Sequence, residues 1–518
     1  MKGRGNMSNW SQGYVSDIPY TTGFYRELTP QALAFATLLK GGSPPPAEAG
    51  FDFCELGCGQ GFGTTLLAAA YPKARFWGFD FNPGQIAHAR GLAAEAELAN
   101  VQFGEESFED LAAGARPELP MFDYVVLHGI YSWVSEASQR AIVRFIGQRL
   151  KPAGLVYVSY NCMPGWAAAT PLQRLMRMYA DYRPGRSDRQ VEGAMALATR
   201  LKDAGALYFK ANPGIPPRME KLPTQNKHYL AHEYLNESWS APYHADVARE
   251  MAAAKLSFIA SATLTENFDG VVLSEAMRNA LADIDDPALA QTLRDYCLNQ
   301  QFRRDIFVRG QPTVSPAEPR QRLMSTRFAL SVPRGNLKLE FQLPAGKATG
   351  QPAVYEPIAD ALAGDGASIA ELMALPAVKG QQTASVVQAI AFLVSSGQAH
   401  PVVADTDTRP ARRLNAAIAR RAMHGAEYVH VAAPRLGSAL GANLLQMAAL
   451  QEAVASGSAH PSAEAMAPKI WATMKRAGRS ILKEGKPVPD DAAGIEEVGN
   501  QIRAFVTDML PVLRRLGC

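Results

Sequence analysis

The sequence predicts an α/β fold, in which a parallel sheet wound with helices on both faces is followed by mainly helical domains. Between residues 51 and 160, short apolar strands alternate with amphipathic helices. A glycine-rich turn follows the first of these strands, and the strand pattern fades after residue 160. The predicted strands are 51–56, 75–80, 101–103, 122–127 and 155–159, and the helices between them are 63–70, 83–99 and 135–150.

The length and composition indicate a globular protein of several domains. A chain of 518 residues exceeds one ordinary core, and its 47% hydrophobic and 19% charged residues exclude a disordered majority. We expect an N-terminal helical lid over 1–45, an α/β domain over 46–240, a helical middle domain over 241–325 and a mainly helical part over 326–518. Within that last part, helices at 358–363, 369–375 and 383–395 before a strand at 399–403 follow the order of a winged-helix-like module.

Charge and cysteine content favour an enzyme of the cytoplasm. The net charge of +3 gives no strong attraction to nucleic acid, and the five cysteines form no Cys-x-x-Cys pair. We see no signal peptide and no apolar run long enough to span a membrane. The expected partners are therefore a substrate and, as an open expectation, a second copy of the chain in a homodimer, with no nucleic acid, no membrane insertion and no metal.

The turn after the first strand carries the main motif. It reads Glu-Leu-Gly-Cys-Gly-Gln-Gly from Glu55 to Gly61, and Gly57 and Gly59 are its other two glycines. Glycine permits a tight bend and a close approach of the backbone to a ligand. The dinucleotide pattern Gly-x-Gly-x-x-Gly fails in both registers. The segment resembles motif I of class I methyltransferases, which implies S-adenosylmethionine as cofactor and a Rossmann-like sheet.

A second feature lies where that resemblance requires it. The next predicted strand ends at Asp80, whose carboxylate can accept hydrogen bonds from both ribose hydroxyls, and Phe81 beside it can flank the adenine. After the third strand, Ser107 stands where the family often has an aspartate near the adenine amine, and Phe108 follows it.

Five further motifs resemble a narrower family, the bacterial methyltransferases that carry a methyltransferase regulatory domain. They lie at 14–30, 127–135, 159–166, 232–236 (His-Glu-Tyr-Leu-Asn) and 302–305 (Phe-Arg-Arg-Asp). The best-described members are protein lysine methyltransferases that act on outer-membrane proteins, so the resemblance implies a protein substrate and lysine amines.

Methyl transfer from a sulfonium needs alignment of the reacting atoms at about 3–3.5 Å more than it needs acid–base groups. The loops after the fourth and fifth strands should line the pocket around the reacting methyl group, because ligands lie beyond the carboxyl ends of parallel strands. Aromatic walls would lower the pKa of a lysine and hold cations. The candidate catalytic residues are Tyr131, Trp133, Asn161, Trp166 and His128. His128 and Tyr20 are also candidate cofactor contacts, in addition to those named above. His128 is either a base or a structural histidine, and the segment around Tyr20 is either a lid or a docking helix.

Several alternatives remain open at this point. His228 and His232 lie four residues apart but lack the Glu and third ligand of a zinc site. Five arginines between 409 and 421 could meet DNA, although a solvated helix face or a protein contact is the more common use. The rivals to a protein methyltransferase are a small-molecule or glycan methyltransferase and a non-catalytic module that binds the cofactor.

Overall fold

The computed structural model describes residues 13–18, 22–47, 50–310, 315–343, 346–404 and 406–518. A seven-stranded sheet in the order β3-β2-β1-β4-β5-β7-β6 forms its centre, and its first five strands run parallel. The strands are β1 Asp52–Leu56, β2 Arg75–Phe79, β3 Val101–Gly104, β4 Phe122–Leu127, β5 Leu150–Asn161, β6 Leu256–Ser261 and β7 Phe302–Arg309. The predicted Rossmann-like α/β fold is confirmed.

Five helices pack around the parallel strands or precede them. They are α1 Pro30–Leu39, α2 Phe62–Ala70, α3 Pro83–Glu95, α4 Phe108–Ala112 and α5 Glu136–Arg149. Asn82 caps α3 as the sequence predicts, because its side chain accepts the backbone N–H of Gly84 at 3.0 Å. Since each strand enters its helix at the same edge of the sheet, the loops that start α2, α3, α4 and α5 share one face of the domain.

The middle domain expected to be helical over 241–325 also contains strands. Two of its segments are the strands β6 and β7, which extend the sheet antiparallel to β5. The helices there are α11 His244–Ala252, α12 Asp269–Val272, α13 Glu275–Ala280 and α14 Pro287–Leu298. The charged positions of β7 hid the strand: Arg303 is 3% and Asp305 1% exposed, so residues that look like a solvated face lie in the interior.

These charges form a buried network that fastens the middle of the chain to the sheet. Asp305 accepts hydrogen bonds from Tyr160 at 2.5 Å and from the Nε of Arg303 at 2.9 Å, and it pairs with His244 Nδ1 at 2.9 Å. Arg303 also donates to Asp295 at 2.5 Å. Burial would raise the pKa of Asp305, but Arg303 and His244 hold it well below its usual range.

Five helices between β5 and β6 in the sequence form a helical layer. It consists of α6 Thr170–Tyr182, α7 Ser187–Asp203, α8 Leu207–Ala211, α9 Ile215–Lys221 and α10 Lys227–Leu235. Its own apolar core gathers Leu172, Met176, Val191 and Leu230, each at most 1% exposed, and takes in Val15 from the N-terminal segment. The layer therefore brings α10 beside the N-terminal residues and the end of β5.

The predicted order of the winged-helix-like part is present. The strands β8 Arg327–Leu330, β11 Ala367–Ser368 and β12 Ala399–Pro401 pair in the order β11-β8-β12. The helices beside them are α15 Ala317–Ser325, α16 Pro352–Ala363, α17 Ile369–Met373 and α18 Thr383–Ser395. Residues 327–343 contain two separate strands, because Pro333 and the turn at Arg334–Asn336 interrupt the extended backbone. The second of them, β9 Glu340–Leu343, pairs with β10 Gly346–Thr349 and not with the β11-β8-β12 sheet.

The last part of the chain is mainly helical with two small hairpins. It contains β13 His430–Ala433, β14 Ser438–Gly441, β15 Leu482–Lys483, β16 Lys486–Pro487, α19 Arg409–Met423, α20 Leu444–Ser456, α21 Ala463–Arg476, α22 Asp491–Ala504 and α23 Leu510–Arg515. Within the part expected to be mainly helical over 326–518, residues 438–441 form a strand. Asn443 caps α20 with a reciprocal bond to Gln446, so the helix begins only there and the preceding residues pair with β13.

The basic cluster of α19 packs against the α/β domain. Arg420 and Arg421 both pair with Glu95 of α3, at 3.1 and 2.7 Å, and Arg413 donates to the carbonyl of Ala96 at 3.2 Å. These arginines therefore serve an internal contact. Among the described residues, none of the helices has the length and apolar character needed to cross a bilayer.

Candidate active site

The glycine turn between β1 and α2 has a backbone that only glycine adopts readily. Gly57, Gly59 and Gly61 have φ of +72°, +54° and +66°. A Cβ on Gly57 would lie 2.4 Å from Ile130, and one on Gly61 would lie 2.5 Å from Ala89. The turn is thus bare backbone pressed between the loop after β4 and α3, which leaves its outer surface to a ligand.

Asp80 holds this turn from the end of β2. One carboxylate oxygen accepts the backbone N–H of Gly59 at 3.0 Å, and the other accepts that of Asn82 at 3.0 Å. Each oxygen keeps a second lone pair for a ligand. Asp80 is 8% exposed, and burial raises its pKa to about 6 although both backbone donors lower it. Among the described residues Asp80 forms no ion pair, and a buried carboxylate in that state suits a ligand that brings hydroxyl hydrogens.

Glu55, the last acid before the turn, is a second buried carboxyl group. It accepts a short hydrogen bond from Thr64 on α2, and burial raises its pKa to about 7. Thr64 lowers that pKa, whereas the charge of Asp80 raises it further. The two acids therefore mark the two sides of the glycine turn with negative charge that a cationic ligand would neutralise.

Two clefts meet at Gly57. The first is lined by Asp80 and by the starts of α4 and α5. The second is lined by Glu55 and by the N-terminal segment at 22–25. Of the residues predicted from the sequence, Gly57, Asp80, Phe81, Ser107, Phe108 and Trp133 line the first, and Glu55, Gly57, Gly59 and His128 line the second. Gly61 lines neither and is the N-cap residue of α2.

Ser107 and Phe108 lie where the third strand leads into α4. The hydroxyl of Ser107 accepts the backbone N–H of Asp110 at 3.1 Å, and the Asp110 carboxylate accepts the backbone N–H of Ser107 at 3.4 Å, which completes a capping box. The hydroxyl of Ser107 also donates to that carboxylate at 2.7 Å, so its side chain is committed to its own helix, although both Ser107 and Phe108 line the first cleft.

His128 is held as a neutral ring. Its Nδ1 lies 2.9 Å from the hydroxyl of Tyr157 and 3.3 Å from that of Ser159, and the ring of Tyr25 stacks on it at 3.6 Å. Burial lowers its pKa to about 3, and the charge of Arg304 lowers it further. The neutral state and the three contacts favour an orienting role over that of a base.

The remaining predicted wall residues do not line either cleft. The hydroxyl of Tyr131 donates a short hydrogen bond to Glu250 of α11, on the far side of the loop after β4. Asn161 donates to Glu233 at 2.7 Å. Trp166 packs in the helical layer with the guanidinium of Arg218 4.0 Å from its ring centroid. Tyr20 lies outside the described residues.

Tyr14 lines the first cleft, although the sequence alone did not identify it as a site residue. Its ring lies 5.7 Å from that of Phe81 and 5.4 Å from that of His232, so it joins the first cleft to α10. Burial raises its pKa, and so does the charge of Asp80. The one sequence feature that could have identified Tyr14 as a site residue is its position at the start of the 14–30 motif. Among the described residues, no group of three or more His, Cys, Asp or Glu side chains is placed to hold a metal ion.

The glycine turn, its two flanking acids and the Rossmann-like sheet define a class I, S-adenosylmethionine-dependent methyltransferase. A family model described as "Methyltransferase domain" matches residues 47–210, and one described as "Predicted methyltransferase regulatory domain" matches 226–309. The chain belongs to the family of the Synechocystis protein sll1526, to which it is 40% identical over 514 residues, or 98% of this chain and 99% of the relative.

The chain is also similar to a solved structure over nearly its whole length and to a second enzyme over a shorter segment. PKMT2 from Rickettsia typhi, solved in complex with AdoHcy, superposes over 96% of this chain and 99% of its own with a TM-score of 0.68 and 18% identity. The trans-aconitate 2-methyltransferase of Methylobacterium nodulans is 30% identical over 156 residues, which is 30% of this chain and 54% of that enzyme. The first likeness supports the fold along nearly the whole chain.

Proposed function

We propose that this protein transfers a methyl group from S-adenosylmethionine to lysine side chains of a protein substrate. The observation that carries the proposal is the pair of buried acids on either side of the bare glycine turn. An adenosyl sulfonium with an amino acid tail carries ribose hydroxyls at one end and an ammonium at the other, which match the two carboxylates.

In this proposal Asp80 accepts the ribose hydroxyls, and Phe81 with Phe108 flanks the adenine in the first cleft. Glu55 faces the methionine ammonium, and the backbone of Gly57 and Gly59 runs along the cofactor. Bound there, the cofactor supplies an electrophilic methyl group on sulfur. Tyr25 and His128 close the methionine side and keep water out of it.

A protein substrate is supported by the resemblance of five motifs to the lysine methyltransferases with a regulatory domain. The likeness to a Rickettsia PKMT2 that extends over 96% of the chain supports it in outline. Lysine needs a site that favours its neutral amine over the ammonium, and burial beside aromatic rings provides that. Trp133, 5% exposed, and Tyr14 place such rings at the first cleft.

The experiment is to incubate the full chain with S-adenosylmethionine tritiated on its methyl group and a lysate of the cells that contain the protein. We expect label in protein bands and methyl-lysine after acid hydrolysis. An Asp80→Ala chain serves as the background control. Label confined to a low-mass fraction would favour the small-molecule alternative, which the 30% identity to a trans-aconitate 2-methyltransferase over 156 residues keeps in view. Cofactor binding without label in any fraction would favour a non-catalytic module.

A further inference from the structure

Glu233 of α10 is a buried acid that forms no ion pair with the described residues. It is 3% exposed, and among those residues no nitrogen of Lys, Arg or His lies within 4.0 Å of its oxygens. Burial raises the pKa of Glu233 to about 7. The charge of Arg218 lowers that pKa, but its guanidinium donates to the hydroxyl of Tyr234 at 3.0 Å and lies over the ring of Trp166. A carboxylate in this state carries an uncompensated desolvation cost.

The neighbours of Glu233 do not require an acid. Its Oε1 accepts from Asn161 Nδ2 at 2.7 Å and from Trp239 Nε1 at 3.3 Å, and its Oε2 accepts from the hydroxyl of Tyr229 at 3.5 Å. A glutamine would serve all three, because its carbonyl accepts twice and its amide donates to the phenol oxygen. The negative charge of Glu233 thus exceeds what the fold uses.

Its position is directly behind the wall of the first cleft. Asn161 ends β5, and its backbone N–H donates at 2.7 Å to Ser132, whose neighbour Trp133 lines the cleft. On α10 itself, the adjacent His232 has its ring 5.4 Å from that of Tyr14 and 6.5 Å from that of Trp133. Two hydrogen bonds therefore separate Glu233 from the loop that borders the cofactor cleft.

Aromatic side chains surround the same carboxylate. Trp239 and Tyr229 both donate to it, and the ring of Trp239 lies 4.8 Å from that of Trp166. A carboxylate with aromatic side chains beside it is a chemical environment for an alkylammonium, because the carboxylate attracts it by charge and a neighbouring ring can add a cation–π contact. An anionic carboxylate acceptor would be repelled by it, and a neutral hydroxyl would gain a hydrogen bond but neither charge attraction nor a cation–π contact.

We propose that Glu233 binds the ammonium group of the acceptor and takes its proton, so that the substrate class is a primary amine such as a lysine side chain. This inference rests on the proposed function. One proton passes from the ammonium to the carboxylate, which gives a neutral amine and a carboxylic acid. The nitrogen lone pair then forms the N–C bond while the C–S bond breaks, and the sulfur keeps that electron pair. Glu233 afterwards releases its proton to water. The segment that matches the regulatory domain model, 226–309, thereby contributes to the reaction.

The first test measures binding without turnover. The full chain, labelled with ¹⁵N in its tryptophan indoles and saturated with S-adenosylhomocysteine, is titrated with Nα-acetyl-lysine methylamide or with the uncharged norleucine analogue. We expect the Trp239 indole resonance, assigned from Trp239→Phe, to shift saturably with the lysine compound only. Glu233→Gln should remove the shift and Glu220→Gln, which changes an exposed acid of α9, should keep it. An unchanged titration of Glu233→Gln, or no shift in the natural chain, would overturn the proposal.

The second test measures methyl transfer to poly-L-lysine. Loss of a general base costs about 10²–10⁴-fold in rate, so kcat of Glu233→Gln should fall at least 100-fold. Its affinity for S-adenosylhomocysteine and its melting temperature should stay the same, and Glu233→Asp should restore part of kcat. If cellular label appears on lysine equally with the natural chain and with the Glu233→Gln chain, this inference fails and the proposed function stands. If label appears only on atoms other than amine nitrogen, the proposed function itself fails.

Discussion

The ring of Tyr25 lies on the imidazole of His128, with 3.6 Å between their centroids and 27° between their planes. Tyr25 precedes the turn at Arg26–Leu28 and α1, whereas His128 follows β4, so the contact fastens the N-terminal segment over the methionine-side cleft. Both rings line that cleft, and a ligand there would touch the same pair.

The first prediction concerns this contact. Tyr25→Ala should weaken S-adenosylhomocysteine binding about threefold to tenfold, because an aromatic pair contributes about 0.5–1.5 kcal/mol beyond its buried area. Tyr25→Phe keeps the ring and should bind within a factor of two of the natural chain. Isothermal calorimetry measures both. Equal affinities for the Ala and Phe variants would mean that the stacked ring has no part in holding the cofactor.

The second prediction concerns pH and Asp80, whose pKa burial raises to about 6. Ribose hydroxyls donate to the ionised carboxylate, so the part of the cofactor affinity that Asp80 supplies should be full above pH 7 and should fall as the pH drops below about 6. Below that pKa the loss approaches tenfold per pH unit. Calorimetry between pH 5 and pH 8 gives the profile. Asp80→Asn should show weak binding without the same inflection, and a natural chain whose affinity stays flat would remove Asp80 from the ribose.

The third prediction compares the effect on stability of replacing a glycine of the turn, Gly61, and a glycine of the helix, Gly63. Gly61→Ala should destabilise the fold by about 2–4 kcal/mol, because its φ of +66° disfavours a side chain and the new Cβ would lie 2.5 Å from Ala89. Gly63→Ala is the control, since it lies within α2 and its Cβ would meet nothing closer than 3.9 Å. That change should stabilise by about 0.5–1 kcal/mol. Urea unfolding compares them, and equal stabilities would contradict the account of the turn.

The fourth prediction concerns the buried network at β7. Asp305→Asn should cost about 3–5 kcal/mol of unfolding free energy, because it leaves the Arg303 charge in the interior with one acid fewer. The pKa of Asp305 is lowered in the fold, so its contribution is present above the unfolded value of about 4 and is lost as the pH falls below it.

Asp246→Asn on the exposed face of α11 is the matched control for Asp305, since it breaks only a surface pair with Arg249 at 2.7 Å. Its unfolding free energy should change by less than about 1 kcal/mol. Urea unfolding at pH 7 and at pH 3 separates the two variants. An Asp305→Asn chain as stable as the control would show that the network does not fasten the middle of the chain to the sheet.

The sequence predicts the features that depend on local order. Strands β1–β4 and the turn from Glu55 to Gly61 follow from periodicity and from spacing within a few residues. The strand β7 was missed because Arg303 and Asp305 are polar, and only distant partners on β5, α11 and α14 make them interior residues.

Some residues of the candidate site could likewise be predicted from local sequence, whereas others depend on distant contacts. Asp80 and Phe81 could be placed because a strand end fixes them beside the glycine turn. Tyr131 and Trp166 were expected at the methyl group because they follow β4 and β5, yet their directions depend on α11 and the helical layer. Glu233 meets Asn161 across 72 residues of sequence, a relation that no local pattern contains.

The most direct test of the central claim is a crystal structure of the full chain grown with S-adenosylhomocysteine. We predict that the ligand lies along Gly57–Gly61, with both ribose hydroxyls within hydrogen-bonding distance of Asp80 and the amino acid tail directed toward Glu55. A ligand bound elsewhere on the chain, or seated in this cleft with its ribose away from Asp80, would contradict it.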